Sequence, residues 1–230
     1  MSTLDNLLDE IFDGRPAALR GEFAGWARGS RRFAAFAGEY RSKIRAKLRH
    51  AGDDDSRRDL RAELETAALL LRDERFSVEY EKYAAAKQRG PDFTVTFKTH
   101  TPFNVEVRRL RAVVDEDNAA RTARLVYVLG DKVRQMPPSI VNLLWLSVDG
   151  VLAVDEVTAA AVALRQQAEG KDDAFFARRG FVGAADFLAR YQRLSGVVLR
   201  SPASIALWPN PIARHKLRPD IAMAIGRLNI

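Results

Sequence analysis

Two short segments of this 230-residue chain carry side chains that could work on a negatively charged substrate. Gly90-Pro91-Asp92-Phe93 sets a carboxylate at the start of one alternating stretch. Asn104-Val105-Glu106-Val107-Arg108 sets a second carboxylate and a guanidinium two residues apart on the next. Side chains two apart on a strand share a face, so spacing alone puts Glu106 and Arg108 together. Asp92 joins them if the two stretches pair as a hairpin. Two such carboxylates suit magnesium or manganese, hard cations that bind few protein oxygens and keep several waters. An ion held this way can position a water and neutralise charge on a phosphate, which is what phosphodiester hydrolysis needs. The chain has no cysteine and three histidines (His50, His100 and His215), so thiolate zinc sites and histidine-rich sites are set aside.

The elements that would hold these residues follow from apolar periodicity. Residues 57–73 predict a helix, with Leu60, Leu64, Ala67, Ala68 and Leu71 on one face. Glu63 lies on or beside that face, and a buried carboxylate there needs a partner or a metal. Phe76, Val78 and Tyr80 alternate as in a strand, and Gln88–Pro91 read as a turn. Phe93, Val95 and Phe97 predict a second strand, and Phe103, Val105 and Val107 a third. Residues 117–136 return to a helical period, ending at Pro137-Pro138. Ile140–Val148 is a nearly continuous apolar run, the pattern of a strand covered on both faces. Residues 155–169 and 183–194 predict helices, Val197–Leu199 and Ile205–Trp208 late strands, and the tail from Pro219 a last helix. This succession predicts an α/β (α+β) fold with a mixed sheet flanked by helices.

Upstream lies a basic helical region, expected over residues 1–50, with the main domain over 51–230 and the boundary in the polar stretch Ala51–Ser56. Leu4, Leu7, Leu8 and Ile11 form a first amphipathic turn pattern, broken at Gly14–Pro16. Phe33, Phe36, Tyr40, Ile44 and Leu48 make one apolar stripe, flanked by Arg41, Lys43, Arg45, Lys47 and Arg49. Between Arg20 and His50 nine Lys/Arg face only Glu22 and Glu39, so this segment alone carries the chain's whole net charge of +7. A local excess of this kind attracts polyanions, nucleic acid first and an acidic protein second. A docked helix with solvated basic flanks fits the same pattern, and both readings can hold at once.

The Pro91-Asp92 and Glu106-X-Arg108 pair resembles the signature of the PD-(D/E)XK, or restriction-endonuclease-like, nucleases. In that superfamily a Pro-Asp opens one strand and a Glu-X-Lys lies on the next. The resemblance covers residues 57–148, with Glu63 on the preceding helix and Lys132 and Gln135 on the following one. It implies a metal held by Asp92, Glu106 and the backbone carbonyl of Val107, with Glu63 as an outer or second-metal ligand. It also implies DNA as substrate and, as in many nucleases of this type, a homodimer. This chain departs from the pattern at Arg108, where the motif lysine is expected. Arginine stays protonated and is no general base, though it can neutralise a phosphate. Lys132 reaching in from its helix, Arg108 acting electrostatically, or a remnant site that binds without cutting are all compatible with the residues.

Three function classes therefore remain: a metal-dependent nuclease, a non-catalytic module on the same fold, and an adaptor working through residues 20–50. No Walker-type loop, dinucleotide fingerprint or Gly-x-Ser-x-Gly elbow is present. The N-terminus lacks the basic start and apolar run of a signal peptide, and no apolar run is long enough to span a bilayer. The expectation is a cytoplasmic protein.

Overall fold

The computed structural model describes residues 3–13, 17–83, 90–113 and 115–228. The breaks expected at Gly14–Pro16 and at Gln88-Arg89 lie outside these residues. In chain order the helices and strands are α1 (Thr3–Phe12), α2 (Ala17–Gly29), α3 (Arg31–Glu39), α4 (Arg41–His50), α5 (Asp54–Leu70), β1 (Phe76–Tyr80), β2 (Phe93–Phe97), β3 (Thr101–Leu110), α6 (Asn118–Val133), β4 (Val141–Val148), α7 (Val154–Glu169), α8 (Asp173–Ala177), α9 (Ala184–Tyr191), β5 (Leu194–Ser201), β6 (Ser204–Pro209) and α10 (Pro219–Gly226). The strands form one mixed sheet in the order β1-β2-β3-β4-β5-β6. β3, β4 and β5 run parallel to one another, and β6 closes antiparallel on β5. The α+β architecture with an N-terminal helical region is the one the sequence predicts.

The chain divides into two compact units. The first is Met1–Tyr80 with Val95–Thr101, and the second is Glu81–Thr94 with Pro102–Ile230. In the first unit α5 and β1 pack with the N-terminal helices. Within the first unit an aromatic core explains this. Phe33 is fully buried, edge-on to Phe23 at 5.1 Å and to Trp26 at 6.0 Å, and the row continues through Phe36 to Tyr80. Burying one such ring contributes roughly 1.5–3 kcal/mol. Arg32 on α3 adds polar ties, donating to the carbonyls of Leu71, Asp73 and Phe76. α5 begins at Asp54 rather than 57 because Asp53 caps it, its carboxylate accepting the Ser56 N–H at 2.7 Å.

In the second unit, one face of β3–β6 is dry wherever Leu144, Leu146, Val197, Leu199 and Trp208 line it, and α6, α7, α8 and α9 cover that face. Asp117 caps α6, accepting from the Ala120 N–H at 2.7 Å. Leu125, Val128, Leu129 and Val133 form its buried stripe. Trp145, read as core, is fully buried. The short helix α8 is an element that periodicity does not announce. Five residues are too few to display a period, although Asp172 caps it by accepting from the Phe175 N–H.

Candidate functional site

Asp92 stands just ahead of β2, and its Oδ2 accepts the backbone N–H of Val107 at 2.8 Å. Its own carbonyl accepts the N–H of Glu81 at 2.7 Å. The first carboxylate is thus fastened beside the residue that follows Glu106. In an extended strand the N–H and C=O of one residue face the same edge, so the Val107 carbonyl is turned toward the Asp92 side as well.

Glu106 is 5% exposed on β3. Its register neighbour on β4 is Leu144, whose side belongs to the face that α6 covers. Lys132 sits in the last turn of α6, four residues after Val128, and therefore falls within the buried stripe. Its Nζ lies 2.5 Å from Glu106 Oε1, and only 13% of its side chain is exposed. Two buried opposite charges in contact offset each other's desolvation, which neither could meet alone. The position in the final turn also sets an ammonium beside helix carbonyls that lack intrahelical donors. Arg108 shares the face of Glu106, as its spacing predicts, but is exposed where Glu106 is buried. The cation brought to Glu106 is thus Lys132, from the helix.

Below this pair the start of the parallel strands is pinned by a buried polar network. Asn104, fully buried, accepts from Thr94 Oγ1 at 3.1 Å and donates to Asn142 Oδ1 at 2.9 Å. Asn142 in turn donates to the carbonyls of Pro137, Ile140 and Arg193, each at 3.0 Å. Its N–H is accepted by Ser195 Oγ at 3.1 Å. Alternation predicts that Asn104 and Glu106 share a face, but not that α6 buries that face. Asn142, near the start of a largely apolar run, is the sequence signal of this network. An amide there has to be satisfied by several partners at once.

The other residues singled out by sequence lie in the first unit. Glu63 on α5 accepts from Lys47 Nζ at 2.6 Å and from the Tyr80 hydroxyl at 2.7 Å. Its predicted need for a partner is met by protein. Lys47 also lies over the Tyr80 ring, 4.8 Å from its centroid. The remaining cations of α4 are engaged too. Arg41 pairs with Glu10, Arg45 and Arg49 share Asp13, and Lys43 donates to the Tyr80 carbonyl. The pairs to Glu10 and Asp13 are solvent-exposed and individually weak. Arg45 and then Arg49 hold the Asp13 carboxyl below its usual range.

Among the described residues, no group of three or more histidine, aspartate or glutamate side chains could hold a metal ion. Magnesium does not require one, since it is commonly held by one or two carboxylates with waters and substrate phosphates completing its shell. Asp92, Glu106 and the Val107 carbonyl fit that demand in number and in hardness. Each carboxylate offers about four lone-pair sites. A divalent ion bound there would polarise phosphate oxygens and lower the pKa of a bound water. For its part the chain fixes Asp92, just ahead of β2, through the Val107 N–H, and holds the Lys132 ammonium against Glu106 on β3.

No protein-family model, curated protein or solved structure matches this chain. Among the described residues no helix is long and apolar enough to cross a membrane.

Proposed function

We propose that the chain is a metal-dependent nuclease of the PD-(D/E)XK kind that hydrolyses phosphodiesters, with DNA as its first candidate substrate. The observation that carries this reading is the 2.5 Å contact between Lys132 and Glu106. It supplies, from α6, the ammonium that the pattern lacks at Arg108. Asp92, Glu106 and the Val107 carbonyl hold magnesium or manganese. Lys132 orients the attacking water beside Glu106, and exposed Arg108 meets a phosphate. Glu63 is left out of the metal set because Lys47 and Tyr80 already engage it. The succession α5, β1, β2, β3, α6, β4, with β3 and β4 parallel, supports the same reading, since it repeats the helix, three strands, helix and strand that accompany this motif. A cytoplasmic location and a homodimer able to cut both strands belong to the proposal.

The test is plasmid nicking with manganese or magnesium, comparing wild type with Glu106→Gln and Lys132→Met. Loss of a charged group that holds or orients the reacting parts costs about 10²-fold or more in rate, so both variants should fall by at least that much. Wild-type cleavage that survives Lys132→Met would overturn the role given to that lysine.

A second reading rests on the same contacts. The Val107 N–H on Asp92 and the ammonium on Glu106 can serve purely to stitch the fold, leaving a nuclease-like module that binds without cutting. It predicts oligonucleotide binding that is indifferent to divalent ions, and no cleavage in either metal.

A further inference from the structure

Away from Glu106, the outer side of α6 bears a stripe at helical spacing that changes character along its length. Ala119, Thr122, Ala123 and Val126 give way to Tyr127, Asp131 and Arg134. The first set lines an apolar cleft of about 400 Å³ with Ala163 and Phe175. The second lines a polar cleft of about 410 Å³ with Arg178, Arg179 and Gly180. Arg179 lines both clefts, which lie side by side.

Three guanidinium groups meet in the polar cleft against a single carboxylate, Asp131. Among the described residues none of the three makes an ion pair. Two of them are held in place by groups that do not neutralise them. The Arg179 guanidinium lies 3.5 Å from the Phe175 ring centroid, and its Nη1 donates to the Phe175 carbonyl at 2.9 Å. Its Nε is buried with no hydrogen-bond partner. Arg134 donates to the Arg179 carbonyl at 3.3 Å and faces the Phe181 ring at 5.9 Å. It can do so because residue 180 is glycine. Gly180 has φ +80°, and a Cβ there would come within 2.5 Å of Arg134 Nη1. Burial and then the neighbouring Arg178 charge push Arg179 below the ordinary guanidinium range, with Asp172 opposing them in part. An excess of guanidinium groups of this type suits a bidentate anion, and arginine forks match phosphate as they match carboxylate.

The neighbours of this anion site narrow the ligand further. Tyr127, on the rim, is 59% exposed, an aromatic ring set beside arginines and open to stacking. The apolar cleft past Arg179 offers a dry wall to a flat ring, and an inorganic anion has no use for it. The combined size falls within the range of small-ligand sites. We propose that these neighbouring clefts bind one nucleotide unit, with its phosphate among Arg134, Arg178 and Arg179 and its base against Tyr127 and the apolar wall. The choice of a nucleotide within a nucleic-acid strand rests on the nuclease reading, whereas the anion site rests on the arginines alone.

The test uses the full chain in EDTA, with a fluorescent oligothymidylate followed by anisotropy, and with thymidine 5′-monophosphate, inorganic phosphate and polyglutamate as competitors. Oligothymidylate should bind, and the monophosphate should displace it better than inorganic phosphate does. Exposed Arg178→Glu, which touches no core contact, should weaken binding at least tenfold, an effect of about 1.4 kcal/mol. Tyr127→Ala should weaken the nucleotide about tenfold, within the range for a base–aromatic stack, and leave phosphate unchanged. Four results would each overturn the inference: no binding, wild-type affinity in Arg178→Glu, inorganic phosphate competing as well as the nucleotide, or polyglutamate competing as well (which would assign the cleft to an acidic protein). If binding behaves as expected while plasmid nicking fails, the nuclease reading falls and the nucleotide site stands.

Discussion

The two units treat positive charge in opposite ways. The first holds the segment that carries the chain's entire net charge, yet each of the five cations on α4 meets an acceptor within the unit. The remainder of the sequence sums to neutrality. Within it, the second unit buries an ammonium against Glu106 and gathers three arginines around one aspartate. Net charge along a sequence therefore locates cations without saying which of them are available to a ligand. Availability is decided by what the fold sets opposite each one.

This contrast can be broken or sharpened by substitution. The largest effect belongs to the buried pair. Lys132→Met strands Glu106 without its cation, and urea unfolding should show a loss of about 3–5 kcal/mol, the usual result of breaking a buried ion pair from one side. The double change Lys132→Met/Glu106→Gln should recover most of that loss. Failure to recover would mean the pair is not the coupled unit described.

Next comes the cap of the helix that carries Lys132. Asp117→Ala removes the acceptor for the Ala120 N–H and should cost about 1 kcal/mol. Circular dichroism with urea would show it.

Acid titration separates the units less sharply. Arg75 holds the Asp73 carboxyl below its ordinary value in the first unit, and Arg190 does the same for Asp186 in the second. A depressed carboxylate contributes stability that is complete above its unfolded pKa and disappears as pH falls through the folded one. Stability should therefore decline on acidification below the normal carboxylate range, and Asp73→Asn and Asp186→Asn should each flatten that decline. A steeper decline in either variant would contradict the pairing.

The smallest effect should come from Asp13→Asn. Its two arginine partners are exposed and weakly bound, so the unfolding midpoint should not move measurably. Oligonucleotide affinity should rise if Arg45 and Arg49 are then released to a polyanion.

Much of the fold was legible because its elements are long and strongly patterned. The stripe of α6, the apolar run of β4 and the alternation of β3 each exceed the few residues needed to display a period. Turn and strand spacing singled out Asp92 and Glu106, whereas Lys132 was named through the family resemblance and its contact with Glu106 became visible only with the fold. What stayed hidden depends on contacts that are distant in sequence. Nothing in Arg134, Arg178 and Arg179 announces that α8 brings them together. The left-handed Gly180 that admits Arg134 became visible only with the backbone. Asn104 could be assigned to a face, but its burial depends on α6 covering that face. Composition marks a loop before α5, and the aromatic packing of Phe33 through Tyr80 shows which elements gather in the first unit.

The most direct test of the account is a calorimetric titration of the full chain with manganese, wild type beside Asp92→Asn/Glu106→Gln, with and without oligonucleotide. The account predicts binding by the wild type and none by the double variant, because these carboxylates provide the charged oxygens of the site. A wild type that takes up no divalent ion even with oligonucleotide present, or a double variant that binds as well, would contradict it.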